Sequence, residues 1–186
     1  MRQIIGVVGP IASGKGIVIN ILKHKGYRVL SLSDVVREKA KELELEITRE
    51  NLQNVGDSLR QQKGNAILAE LVASRIEKNP QEKFVIDAIR NPAEVEFLKK
   101  HFNAYIIGIT ALPEKRFQLM QKRGKDYDPK TWEAFVTAET RDRGVGQENF
   151  GQHVEKCLVL ADVVIENSGS LEDFEHNVSC FLEVNL

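Results

Sequence analysis

The chain has 186 residues, 42% of them apolar and 28% charged, enough for one sizeable core. A formal net charge of −1 excludes a sequence-independent attraction to nucleic acid or anionic lipid, so any affinity for phosphate must come from locally placed cations. Two cysteines, Cys157 and Cys180, and four scattered histidines show no metal-ligand spacing, and the cysteines read as small core residues of a reducing compartment.

The first apolar run is cut by Gly6, Gly9 and Pro10, which breaks the order a signal peptide needs, and no run approaches the ~20 apolar residues of a membrane span. A cytoplasmic protein without membrane contact is the expectation. Strand candidates Ile4–Val8, Val29–Ser31, Phe84–Asp87, Ala104–Ile109 and Val163–Glu166 alternate with helical patterns. That alternation predicts an α/β fold, one domain over residues 1–186, with a parallel sheet of about five strands covered by helices on both faces. Ligands of such sheets sit at the carboxyl ends of the strands. Attention falls on Gly9–Lys15, Ser31–Arg37, Asp87–Arg90 and Asn167–Gly169.

Two segments carry more than plain alternation. Residues 33–80 hold helical spacing on both sides of Gly64, through Leu52, Val55 and Leu59 and then Ile67, Leu68, Leu71, Val72 and Ile76. Residues 124–150 are polar and glycine-punctuated. They contain one helix, in which Asp128-Pro129 read as N-cap and first-turn proline, with Trp132, Phe135 and Val136 on the apolar face.

Gly9-Pro10-Ile11-Ala12-Ser13-Gly14-Lys15 is the G-x-x-x-x-G-K core of a phosphate-binding loop. It follows the first strand and opens an amphipathic helix (Ile17, Ile21, Leu22), as the mechanism requires: backbone N–H groups and a helix N-terminus face the phosphates, and Lys15 reaches the transferring end. Gly9 through Ile17 are therefore the expected nucleotide contacts. Gly16 and Ile17 stand where a Ser or Thr hydroxyl is usual, and Ser13 reads either as a substitute hydroxyl or as a small turn residue. The loop resembles that of adenylate kinase-like proteins, G-x-x-x-x-G-K-G-T, up to Gly16, and departs from it at Ile17.

After the second strand, Ser31-Leu32-Ser33-Asp34-Val35-Val36-Arg37 resembles the S-T-G-D-x-x-R of nucleoside monophosphate kinases. The resemblance implies that Arg37 grips the acceptor phosphate and that Asp34 lies near magnesium through water. Taken alone, the same residues read as Ser33 capping a helix and Arg37 on its solvated face. The third strand ends at Asp87, a Walker B type carboxylate for hydrated Mg²⁺. Arg90 beyond it is similar to the second acceptor arginine of D-G-F-P-R, one residue closer to the aspartate.

Pro113 to Lys125 reads as a helix, and Lys115 to Lys125 carries five cations and no acid. By resemblance Arg123 lies against the ATP adenine and phosphates. The partner arginine four residues earlier is replaced by Leu119, and Arg116 reads as structural. Arg141 and Arg143 resemble the arginines that a closing lid brings to the transferred group. Asn167-Ser168-Gly169 resembles the I-x-N-x-G turn of dephospho-CoA kinases, whose backbone lies along the adenine, with Ser170 and Asp173 as a capping box.

With its motifs in order over nearly the whole chain, the sequence resembles the P-loop nucleoside monophosphate kinase superfamily, in an adenylate kinase-like and dephospho-CoA kinase-like group. The resemblance implies a three-layer fold, an acceptor-binding insertion at 33–80 and a lid at 124–150. It implies a monomer that transfers a phosphoryl group from ATP, with Mg²⁺, to a nucleoside or deoxynucleoside monophosphate. The expected catalytic groups are Lys15, Arg37, Arg90, Arg123 and Arg141, with Asp34 and Asp87 near the metal and Asn167 and Gly169 at the nucleotide. Two alternatives stay open: a dephospho-CoA kinase, and an ATP-binding switch or assembly factor.

Overall fold

The computed structural model describes residues 3–124 and 128–185, so Lys125, expected at the end of the basic helix, lies outside the described residues. In chain order the elements are β1 (Ile4–Val8), α1 (Lys15–His24), β2 (Tyr27–Ser31), α2 (Leu32–Glu42), α3 (Arg49–Lys63), α4 (Ile67–Glu77) and β3 (Lys83–Asp87). They continue with α5 (Pro92–Phe102), β4 (Tyr105–Thr110), α6 (Pro113–Arg123), α7 (Trp132–Arg143), α8 (Val154–Val159), β5 (Val163–Glu166) and α9 (Leu171–Asn185).

The five strands form one parallel sheet in the order β2-β3-β1-β4-β5. β1 is central and buried at every residue, as a parallel strand covered on both faces must be. The chain crosses from β1 outward to β2 and β3 on one side and to β4 and β5 on the other, so the topological switch lies at the carboxyl end of β1. The loop Gly9–Gly14 begins there.

One face of the sheet packs on α1 and α9, through Ile5, Val7, Val18, Leu22, Ile107, Phe174 and Val178. The other carries α2, α4 and α5, where Ile4, Val8, Leu32, Leu68, Val72, Ile86, Val95 and Leu98 form the larger cluster. A third, small cluster of Ile11, Met120 and Phe135 lies between the loop, α6 and α7. Local signals set the boundaries. Asn91 and Glu94 form a capping box at α5 with Pro92 in its first turn, Thr48 caps α3 by accepting from Asn51 N, and Gly64 at φ 104° separates α3 from α4.

Several details differ from the sequence expectations. β2 starts at Tyr27, two residues earlier than the apolar run marks, because the Tyr27 ring is buried under α1 and α9. α7 is capped by Thr131, whose hydroxyl accepts from Ala134 N, and not by Asp128. The Asp128 carboxylate is engaged by Arg123 instead, in a bidentate pair that occupies both of its oxygens. On that helix Phe135 is fully buried while Trp132 and Val136 are exposed, so the buried stripe runs through Phe135, Glu139 and Asp142. Cys157 belongs to the core, but Cys180 is exposed on α9, and both are free thiols. Among the described residues no helix is long and apolar enough to cross a membrane.

Candidate active site

The loop between β1 and α1 takes a conformation that its glycines permit. Gly9 has φ 151°, and a side chain there would collide with the Ile109 carbonyl. Gly14, at φ 107°, would press a Cβ to within 2.5 Å of Asn167 Nδ2. Ala12 also sits at positive φ, 57°. A Cβ at Gly16, by contrast, would meet nothing within 4 Å.

The loop opens onto a cavity of about 480 Å³. On the loop side its wall is Ile11 through Ile17, which includes Ala12, Ser13, Gly14, Lys15 and Gly16; Gly9 and Pro10 lie outside the wall. Among the described residues six cations line it: Lys15, Arg37, Arg49, Arg60, Arg90 and Arg123. Asp87, at the carboxyl end of β3, is the one carboxylate among the described lining residues. An apolar wall of Leu32, Val36, Leu52 and Leu68 faces the loop, with the amides of Gln53 and Gln152 beside it. Gln53 Nε2 donates to Gln152 Oε1 at 3.4 Å.

Lys15 bends back onto its own loop, donating to the Gly9 and Pro10 carbonyls at 2.7 Å each. Burial lowers its pKa to about 8, and the nearby Arg90 and Arg123 charges act in the same direction, against Asp87 and Asp142. Arg90 donates to Asp142, a fully buried carboxylate on α7, and that charge is the main reason its pKa is raised. Arg123 grips Asp128 through two parallel bonds of 2.7 Å. Arg37 donates to Ser33 Oγ at 2.6 Å and to Asp34 Oδ1 at 3.3 Å.

Asn167 ties the far end of the sheet to the loop. Its Nδ2 donates to the Ser13 carbonyl at 3.0 Å, while its Oδ1 accepts from Lys115 Nζ at 2.8 Å. Lys115 also donates to the Gly169 carbonyl at 3.0 Å. Asn167, Gly169, Lys115 and Leu119 line a second, open hollow beside the first cavity. Ser170 and Asp173 form the expected capping box, and the hydroxyl holds the Asp173 pKa down.

The structure thus brings Lys15, Arg37, Arg90, Arg123 and Asp87 to one cavity. It does not bring Asp34 or Arg141 there. Asp34 is exposed and does not line the cavity, its carboxylate accepting from Arg37 of the same helix at 3.3 Å. Arg141 reaches away to Asn54 and Asp57 of α3, at 2.8 and 2.9 Å. Arg143 pairs with Glu155 at the surface. Arg116 is buried, donating to the Ala111 and Ile11 carbonyls and to Glu139, and so props the loop against α7.

Arg49, Gln53, Arg60 and Gln152 carry no motif. Arg60 is nearly inaccessible, donating to Glu94 Oε1 at 2.9 Å and to Asp57 Oδ1 at 3.4 Å, and Glu94 Oε2 in turn accepts from Arg90 N at 2.8 Å. The signal that could have found the first three is spacing. Arg49, Gln53, Gly56 and Arg60 recur every three or four residues, a polar stripe where a packed helix needs apolar residues, and such a stripe marks a face turned toward a site.

A family model described as an AAA domain matches residues 8–136. A UPF0200 protein of Hyperthermus butylicus is 34% identical over 174 residues, covering 94% of this chain and 90% of the relative. The chain belongs to the AAA domain family and to the UPF0200 proteins. TT1252 from Thermus thermophilus shares the fold with TM-score 0.63 and 22% identity, over 100% of this chain and 98% of that one. The dephospho-CoA kinase from Campylobacter jejuni does so at TM-score 0.57 and 16% identity, over 98% and 96%. The UPF0200 chain therefore has a P-loop kinase fold, and its cavity occupies the ligand position of that fold, at the carboxyl ends of the central strands.

Proposed function

We propose that the protein transfers the γ-phosphoryl group of ATP to a nucleoside or deoxynucleoside monophosphate. The observation that carries this reading is one cavity with a phosphate loop on one wall and Arg37 and Arg90 on another, beside an apolar surface suited to a planar base. Lys15 would exchange its two loop carbonyls for β- and γ-phosphate oxygens. Arg123 would lie over the donor phosphates, and Arg37 and Arg90 would hold the acceptor. An acceptor phosphate oxygen is ionised at neutral pH, so positioning and charge neutralisation suffice and no base is required.

The donor set fits magnesium in one way. A single lining carboxylate among the described residues, Asp87, with no hydroxyl at Ile17, fits an ion that keeps most of its water and meets the protein chiefly through that water. When bound with ATP, magnesium would neutralise phosphate charge.

Dephospho-CoA kinase chemistry is the second reading, supported by the likeness of the Asn167 turn. A hydroxyl acceptor needs a base. Ser31 and Ser33 stand where the resembling family carries aspartates, and their hydroxyls bond each other at 2.9 Å. Asp87 would have to serve as base.

A coupled ADP-release assay with ATP·Mg²⁺ against ribo- and deoxynucleoside monophosphates and dephospho-CoA separates the readings. Stimulation by one or more monophosphates supports the first. Stimulation by dephospho-CoA alone supports the second. Absence of acceptor-stimulated turnover in the presence of measurable ATP binding leaves an ATP-dependent switch.

A further inference from the structure

Among the arginines of the cavity, Arg49 is the one whose charge the protein leaves least compensated. Arg90 has Asp142, Arg60 has Glu94 and Asp57, and Arg37 has Asp34 and Ser33. Lys15 has two carbonyls, and Arg123 holds both oxygens of Asp128. The carboxylate paired with Arg49 is that same Asp128, at 3.7 Å, beyond hydrogen-bond reach. Its Nε is buried and has no hydrogen-bond partner among the described residues. A buried, thinly paired guanidinium is costly unless an anion joins it.

Its placement says which anion. Arg49 is the first residue of α3, fixed there by the Thr48 cap, so the helix N-terminus adds positive potential at the same spot. Its electrostatic neighbours come from both halves of the cavity: Arg90 and Asp142 from the side of the expected acceptor site, Arg123 and Asp128 from the donor side. Burial and the two neighbouring arginines both disfavour its charge, which an arriving polyanion would reverse.

Resting on the phosphotransferase reading, we propose that Arg49 is a catalytic residue that binds the phosphoryl group in transit between donor and acceptor. It takes the part that the sequence pattern assigns to Arg141, which here is turned to Asn54 and Asp57. In the step, a lone pair on an acceptor phosphate oxygen forms the bond to the γ-phosphorus. The bond from that phosphorus to the β–γ bridging oxygen breaks, its electron pair stays on ADP, and no proton moves. The planar fork of Arg49 spans two equatorial oxygens of the moving group, which an ammonium cannot do.

The test compares wild type, Arg49→Gln and Arg49→Lys. Measured are kcat and KM with ATP·Mg²⁺ and the best acceptor of the monophosphate panel, melting temperature, and ADP·Mg²⁺ affinity by calorimetry with and without aluminium fluoride as a mimic of the moving group. Arg49→Gln should lower kcat by about 100-fold or more, leave ADP affinity within about threefold, and abolish the tightening of ADP by aluminium fluoride. Arg49→Lys should recover part of the rate. A kcat for Arg49→Gln within about threefold of wild type overturns the proposal, as does a loss that merely tracks ADP affinity or melting temperature. If wild type turns over no acceptor yet aluminium fluoride tightens ADP in an Arg49-dependent way, the monophosphate reading falls and Arg49 keeps its role. If wild type shows neither, both fall.

Discussion

Asn167 and Ser13 stand 154 residues apart, and a single hydrogen bond of 3.0 Å, from the Asn167 side chain to the Ser13 carbonyl, joins the turn after β5 to the phosphate loop. The same amide accepts from Lys115 at 2.8 Å, so three segments meet on one buried side chain. Asn167→Ala would leave the Ser13 carbonyl buried and unpaired at a cost of about 1–3 kcal/mol. Denaturant unfolding should show that loss, and nucleotide affinity should fall with it because the loop loses its brace.

Lys15 makes nucleotide binding depend on pH. Its pKa of about 8 in the ligand-free fold lies below the ordinary 10.5, so from this group the free protein gains stability as pH rises from about 8 to 10.5, where the unfolded chain still binds the proton. A bound phosphate favours the charged amine and raises its pKa. Binding of ADP at pH 8 should therefore take up about half a proton, and affinity should decline as pH rises above 8. Calorimetry in buffers of different ionisation enthalpy measures the uptake, and Lys15→Met should abolish it.

Arg116 and Glu139 form an ion pair with little access to water, their side chains 3% and 11% exposed. Removing one partner strands a buried charge, so Glu139→Ala should cost about 3–5 kcal/mol. Replacing both, as Arg116→Met with Glu139→Leu, should restore much of that stability. Denaturant melts of the two single variants and the double variant measure the coupling.

Gly14 and Gly16 should respond in opposite ways to alanine. At Gly14 the positive φ and the nearby Asn167 amide make Gly14→Ala destabilising, by about 1–3 kcal/mol. Gly16 lies in the first turn of α1 with open space beside it, so Gly16→Ala should stabilise the empty protein by about 0.5–1 kcal/mol. Because that space belongs to the cavity, the same methyl should weaken ADP binding. Melting temperature and ADP affinity, measured together, separate the two effects.

The sheet was legible because its three inner strands, β3, β1 and β4, are buried on both faces and read as continuous apolar runs; the observed β1 coincides with the expected Ile4–Val8, whereas the half-exposed edge strand β2 begins two residues before its apolar run. Lys15, Arg37, Asp87, Arg90 and Arg123 were legible because each stands at or just beyond a motif or an element end, where backbone geometry carries the side chain to the cavity. The inner face of α3 was not. Its buried Gln53, Asp57 and Arg60 are acceptable only because Gln152, Arg141 and Glu94 meet them, and partners 99, 84 and 34 residues away leave no local trace. Arg141 and Asp34 lie outside the cavity lining for the complementary reason. Motif order fixes where a residue stands in the chain, but its nearest opposite charge decides where a long side chain points, and for these two that is Asp57 and Arg37.

The central place of β1 has a kinetic consequence. It precedes both of its neighbours, β3 and β4, which come late, after four intervening helices in one case and five in the other. Until they arrive, an apolar segment with unpaired edges waits in the growing chain, and its pairing demands closure of long loops. Folding of this protein should therefore be governed by distant parallel pairing, with the phosphate loop taking its final shape only once β4 and β5 have docked.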